Sequence, residues 1–153
     1  MNAPHSSAAG FANVAYDETL RRTRELVPVL RTRAAQAEAA RIMPTQTVRD
    51  LQAIGAMRIM QPRRWGGMEY DFISYIEVPM ELARGCASAS WNVVNLSIHN
   101  WMLALYDERA QAEVWGQDAA VLIAAGIAFP QGLVIEPVQC NLKFLCIAEK
   151  ISG

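Results

Sequence analysis

Residues 90–102 read SWNVVNLSIHNWM. Three of these side chains do chemistry that aliphatic residues cannot. An indole such as that of Trp91 stacks on a flat ring. An amide such as that of Asn95 orients a carbonyl or a hydroxyl through its paired donor and acceptor. An imidazole such as that of His99 takes up or releases a proton close to neutrality. Each residue of an α-helix turns about 100°, so with Trp91 at zero, Asn95, His99 and Met102 fall at about 40°, 80° and 20°. Val94, Ile98 and Leu105 fall just on the other side of Trp91. One broad stripe then carries an aromatic, an amide, an imidazole and aliphatics, the mixture that lines a pocket for a flat ring with a few polar atoms. The plainer alternative is a core helix whose histidine is satisfied locally. Trp101 and Trp115 are read in that plainer way, as core anchors.

The elements that must hold this stripe are helical. Residues 17–41 are rich in Ala, Leu, Arg and Glu, all good helix formers, with Leu20, Val27, Leu30 and Ala34 at helical spacing. Pro28 is expected to kink this segment or to start a fresh helix. A second helix is expected from Pro44, with an apolar stripe of Val48, Leu51 and Ile54 and Gly55 as its C-terminal cap. MRIMQPRRWGGMEYD reads as an extended piece and a loop punctuated by Pro62 and Gly66-Gly67. Within it, Arg63 and Arg64 are read as a solvated pair. A third helix is expected over 71–84, with Pro79 as a local flaw. The fourth, carrying the stripe, spans about residues 89–105 with Ser88 as N-cap. Asp107 caps a fifth, DERAQAEVW. The apolar run AVLIAAGIAF at 120–129 reads as a strand, although periodicity alone leaves a buried helix open.

Composition narrows the function. The chain has 153 residues, enough for one ordinary domain. Hydrophobic content of 52% and charged content of 19% are those of a globular protein. A net charge of −1 supplies no field for steering nucleic acid or an acidic membrane. No apolar run approaches the ~18 residues of a membrane span. The three cysteines, Cys86, Cys140 and Cys146, are odd in number and scattered, which fits a reduced cytoplasm better than a disulfide framework. His5 and His99 lie far apart with no paired cysteine motif, so no metal site is expected.

Three stretches also carry a family likeness: MPTQTVRDLQAIGAMRIMQPRRWGGMEYD, ELARGCASASWNVVNLSIHNWMLALYDERAQAEVWG and LIAAGIAFPQG. Over about residues 17–132 the chain resembles the N-terminal helical domain of the acyl-CoA dehydrogenase superfamily. It is most similar to the oxygenase components of two-component flavin-dependent aromatic monooxygenases. The resemblance implies a mainly α domain at 17–117, after a disordered lead at 1–16. It also implies the first strand of a β-domain at 118–132 and an atypical, divergent tail at 133–153. It implies reduced FMN or FAD delivered by a separate flavin reductase, a phenolic or other aromatic substrate hydroxylated with oxygen, and assembly as a homotetramer. By the same resemblance Trp91 lies close to the flavin as a cofactor-binding residue, and His99 is the catalytic residue near the reacting centre. An acyl-CoA dehydrogenase fragment and a non-catalytic helical remnant that pairs with a partner chain are the alternatives.

Beyond FPQG the sequence departs from the family pattern. The expected Gly-Gly-Tyr turn and Ser-Ser-Gly flavin-holding element are replaced by LVIEPVQCNLKFLCIAEKISG. Every arginine lies at or before Arg109, and both lysines, Lys143 and Lys150, lie in this last stretch. A truncated gene, a shifted frame or a fragment is the expectation. With it goes the expectation that the chain alone holds flavin weakly, is inactive by itself and self-associates through uncovered apolar surface.

Overall fold

A computed structural model describes residues 10–124. Five helices make up its regular structure: α1 (Tyr16–Ala40), α2 (Thr45–Ala53), α3 (Ser74–Ala83), α4 (Ala87–Ala104) and α5 (Glu108–Trp115). Single-turn 3-10 helices at Ala56–Arg58 and Arg63–Trp65 link α2 to α3. The mainly α expectation holds, and no β-domain appears among the described residues.

α1 runs unbroken through Pro28, against the expected kink or restart. Pro28 is exposed, so the carbonyl it leaves unpaired faces water, while Leu26 and Leu30 on either side are buried and hold the axis. The inward face is Thr19, Thr23, Leu26 and Leu30. Its polar members are satisfied locally: Thr23 Oγ1 donates to the Thr19 carbonyl at 2.7 Å, and the Thr19 and Tyr70 hydroxyls pair at 2.9 Å. α2 begins one residue after Pro44 and ends at Ala53, with Ile54 as its C-cap and Gly55 in the left-handed conformation just beyond, close to expectation.

α3 is shorter than the expected 71–84. Asp71–Ile73 form a turn in which the Asp71 carbonyl accepts from both the Ser74 N–H (2.9 Å) and the Ser74 hydroxyl (2.8 Å). α4 starts at Ala87, so Ser88 is not its cap; Cys86 occupies that place without a side-chain bond. The sharp turn explains the shift. The Leu82 carbonyl takes both the Gly85 and Cys86 N–H groups, which forces Cys86 extended and starts the helix at once. Asp107 does cap α5, its Oδ1 accepting from Ala110 N at 2.9 Å.

The core lies where α3 packs on α1 and α4, with α2 and the Ala56–Arg58 turn closing one end. Leu30, Leu51, Met57, Ile59, Met68, Val78, Leu82 and Val93 are essentially inaccessible. Each such side chain contributes about 1.5–3 kcal/mol by leaving water. A smaller cluster of Leu103, Trp115 and Ile123 sits against Trp65.

The lead is tied in earlier than residue 17. Phe11 is buried, its N–H donates to the Gly66 carbonyl at 2.8 Å, and the Val14 carbonyl accepts from the Tyr70 hydroxyl at 2.7 Å. Residues 1–9 lie outside the described residues. So do 125–153, which hold most of the expected strand and all of the divergent tail. Residues 121–124 carry neither helix nor strand.

Candidate functional site

α4 contains no Asp, Glu, Lys or Arg along its whole length. Its inward side is pinned by small polar groups. Asn100 Nδ2 donates to the Met57 carbonyl at 2.9 Å, Ser97 Oγ to the Ala56 carbonyl at 3.2 Å, and Ser90 Oγ to the Pro79 carbonyl at 2.7 Å. These bonds satisfy turn and helix-end carbonyls that would otherwise be stranded in the core. Half of the polar content of SWNVVNLSIHNWM is therefore structural.

Asn92 donates back to the Ser88 carbonyl at 2.8 Å, and Asn95 and His99 remain for the stripe, which the structure divides. Trp91 is 67% exposed, and Met102 and Leu105 open to the same side. Asn95 is half-buried beside them. His99 is only 4% exposed. Its Nδ1 donates to the Asn95 carbonyl one turn earlier, at 2.6 Å. A carbonyl can only accept, so the proton sits on Nδ1, and in the neutral ring Nε2 is left as the acceptor. Trp91 and His99 are two turns apart, about 12 Å along the axis. Neither of two concavities, of about 330 and 340 Å³, is lined by Trp91 or His99. The stripe is an open wall, not a closed pocket.

Trp101 is not the expected core anchor. It is 38% exposed and packs edge-on against Phe72 with ring centroids 5.9 Å apart. Its angle on α4 places it at the outer seam with α3. Trp115, read the same way, is buried as expected.

The arginine pair is not merely solvated. Arg64 reaches Glu108 at 2.5 Å and donates to Gln111 Oε1 at 2.7 Å, while Arg63 Nε donates to the Met68 carbonyl at 3.2 Å. Gln111 is the residue that sequence reasoning missed. It is 1% exposed. Its Oε1 also accepts from Trp65 Nε1 at 3.1 Å, and its Nε2 donates to the carbonyls of Ala104 (3.0 Å) and Tyr106 (2.8 Å). One amide thus clamps the Arg64-Trp65 loop to the C-terminal end of α4. An amide on an amphipathic helix gives no local sign of such a role, since its loop partners lie more than forty residues away.

Under the loop, Arg58 is buried with its guanidinium over the Phe11 ring, 5.4 Å to the centroid. Nε donates to Gln61 Oε1 and Nη2 to the Trp65 carbonyl. Desolvation pulls its pKa below the ordinary arginine value, with Asp118 opposing. Among the described residues no group of three or more His, Cys, Asp or Glu side chains is placed to hold a metal ion. No helix there is long and apolar enough to cross a membrane.

Known proteins are similar to this chain in sequence and fold. The oxygenase subunit HsaA of a flavin-dependent monooxygenase from Mycobacterium tuberculosis is 40% identical over 107 residues, 70% of this chain and 27% of that protein. The oxygenase component of an FADH2-dependent resorcinol hydroxylase from Rhizobium sp. is 37% identical over 100 residues, 65% of this chain and 24% of its own length. The crystal structure of the 3-HSA hydroxylase from Rhodococcus sp. RHA1 superposes with a TM-score of 0.70 at 36% identity, over 72% of this chain and 29% of that one. The chain therefore spans about a quarter of the length of the curated relatives it matches. Residues 17–121 match the family described as acyl-CoA dehydrogenase, N-terminal domain, and the chain belongs to that family.

Proposed function

We propose that this chain serves as the first helical domain of the oxygenase component of a flavin-dependent monooxygenase, with α4 as one wall of the flavin and substrate site. The observation that carries the reading is the outer face of α4: an exposed indole at Trp91 on an uncharged apolar surface, with Asn95 and the pinned imidazole of His99 at its edge. Such a face fits a flat, partly polar ring system such as reduced FAD or FMN. The flavin, when bound, supplies the oxygen chemistry.

The chain's own residues divide the remaining work. Trp91 stacks on the ring and shields one side of it from water. His99, with Nδ1–H held by the Asn95 carbonyl, offers Nε2 as an acceptor for the proton of a phenolic substrate. Holding the tautomer in advance removes a rotation that the reacting state would otherwise require. The proposal includes a flavin reductase as the source of reduced flavin, an aromatic substrate, a homotetrameric assembly and a cytoplasmic setting.

The test is a chimera that carries residues 17–121 of this chain in place of the matching segment of the Mycobacterium tuberculosis relative. Hydroxylation of a phenolic substrate is expected with reduced flavin. His99→Ala should lower turnover by about 10²–10⁴-fold, the usual contribution of a positioned acid or base. Trp91→Ala should weaken flavin binding about tenfold, the loss of one aromatic contact. A folded chimera whose turnover is unchanged by His99→Ala would remove the proton-transfer role.

A further inference from the structure

We propose that the cavity between the end of α2, Phe11 and residues 120–122 binds a small carboxylate with an apolar body. The cavity holds about 340 Å³, a size usual for small-molecule sites. Phe11, Met57, Val121 and Leu122 give it apolar walls, and Arg58 and Arg49 line it as well. Arg58 is 7% exposed. Its Nε donates to Gln61 Oε1 and its Nη2 to the Trp65 carbonyl, while Nη1 is buried with no hydrogen-bond partner. Buried donors are nearly always paired. A guanidinium stays protonated in proteins, so Nη1 cannot turn itself into an acceptor or lose its need of one. An orphaned donor on a buried arginine that lines a cavity points to an acceptor that occupies the cavity.

Charge and walls decide what that acceptor is. No acidic side chain lines the cavity. Asp118 acts on Arg58 from nearby, but its Oδ1 accepts from the Ala120 N–H. Arg49 is exposed, and the acid beside it in sequence, Asp50, is taken by Arg33. Two guanidiniums against one acid leave a net positive charge for an anion. Carboxylates and phosphates both form strong charge-assisted bonds with arginine. The apolar walls choose between them: a phosphate is polar on every side and loses its water to no gain there, whereas the body of an organic carboxylate fits against Phe11 and Met57. Neither Trp91 nor His99 lines this cavity. The site therefore stands apart from the flavin face of α4 and holds whether or not that reading does.

Fluorine NMR titration of para-fluorobenzoate against the 153-residue chain tests the proposal. A Kd on the order of 1 mM is expected for a probe of about ten non-hydrogen atoms. Arg58→Gln should weaken binding about tenfold or more, and Arg49→Gln, at the exposed rim, about threefold. Circular dichroism verifies that the variants keep their helices, and Arg49→Gln carries the test if Arg58→Gln does not fold. Arg109→Gln removes the same charge from an open site on α5 and should leave binding unchanged. So should Trp91→Ala, which removes the exposed indole on which a ring could otherwise stack. The neutral counterpart, para-fluorobenzyl alcohol, should bind about tenfold more weakly or worse. Inorganic phosphate in about tenfold excess should not displace the probe. No saturation below about 20 mM, equal binding of the alcohol, displacement by phosphate, or indifference to both Arg49→Gln and Arg58→Gln each overturns the proposal.

Discussion

Replacing Gln111 with leucine keeps the side chain's approximate volume and removes four hydrogen bonds at once. The cost follows from what is left behind. Arg64 retains Glu108 at the surface and loses little. Trp65 Nε1, the Ala104 carbonyl and the Tyr106 carbonyl, all part-buried, lose this partner. The two carbonyls belong to the end of α4 and its turn, where intrahelical partners have run out. Stranding a buried polar group costs about 1–3 kcal/mol each, and the added apolar contact of leucine returns about 1 kcal/mol. Three such groups less that gain give about 2–8 kcal/mol, and part-burial puts the expected loss at the low end, about 2–3 kcal/mol, a sizeable part of a single domain's 5–15 kcal/mol. Urea unfolding followed by far-UV circular dichroism should show a lower midpoint with an unchanged slope. Gln111→Glu separates the two halves of the clamp. A carboxylate still accepts from Arg64 and Trp65 but turns an oxygen toward two carbonyls, so it should be destabilising as well. A loss below about 1 kcal/mol for Gln111→Leu, with the slope intact, would refute the view that this amide fastens the loop to α4.

Three further substitutions test other links. Gly67→Ala places a methyl 2.1 Å from the Gln61 carbonyl oxygen, which also accepts the Glu69 N–H; the backbone must open, and Tm should fall by more than about 10 °C in a thermal scan. Asp50 has its carboxyl held below the usual range by Arg33 at 2.6 Å, with Gln46 assisting. That contribution is present above the unfolded carboxylate pKa of about 4 and is lost as pH falls through the lower folded value, so Asp50→Asn should cost about 0.5–1 kcal/mol at pH 6 and converge with the parent on the acid side. A constant gap from pH 6 to pH 3 would contradict the ion pair's role. Asp107→Ala removes the only side-chain cap among the described helices and should cost about 1 kcal/mol by chemical denaturation.

The order of the helices was legible because apolar spacing, Pro44, Gly55 and Asp107 act locally. Pro28 misled for the same reason: its local rule supposes that the helix around it is held by nothing else, whereas Leu26 and Leu30 are anchored in the core. The site was half legible. The stripe from Trp91 to Met102 follows from the helical angle, but an angle of about 80° leaves His99 at a boundary. The bond to Asn95 and the packing of the Ala56–Arg58 turn against α4 decide which side of it the ring takes. Gln111 was not legible at all, since its meaning lies in Trp65 and Arg64, far away in the chain.

α4 also has apolar surface that the described residues leave open. A helix with one apolar stripe is built to be covered once; a helix apolar nearly all round is built to be covered on every side. α4 is uncharged and carries apolar groups on two sides, with small polar groups between them. Ala89, Val93 and Leu103 are buried on one side, while Trp91, Trp101, Met102 and Leu105 remain open on the other. Leaving two indoles and two long aliphatic chains in water forgoes several kcal/mol at about 25 cal/mol per Å². Covering this face with an apolar or aromatic group would recover that free energy. The flat ring system proposed for this face would meet that demand, and the absence of charge along α4 suits such a contact.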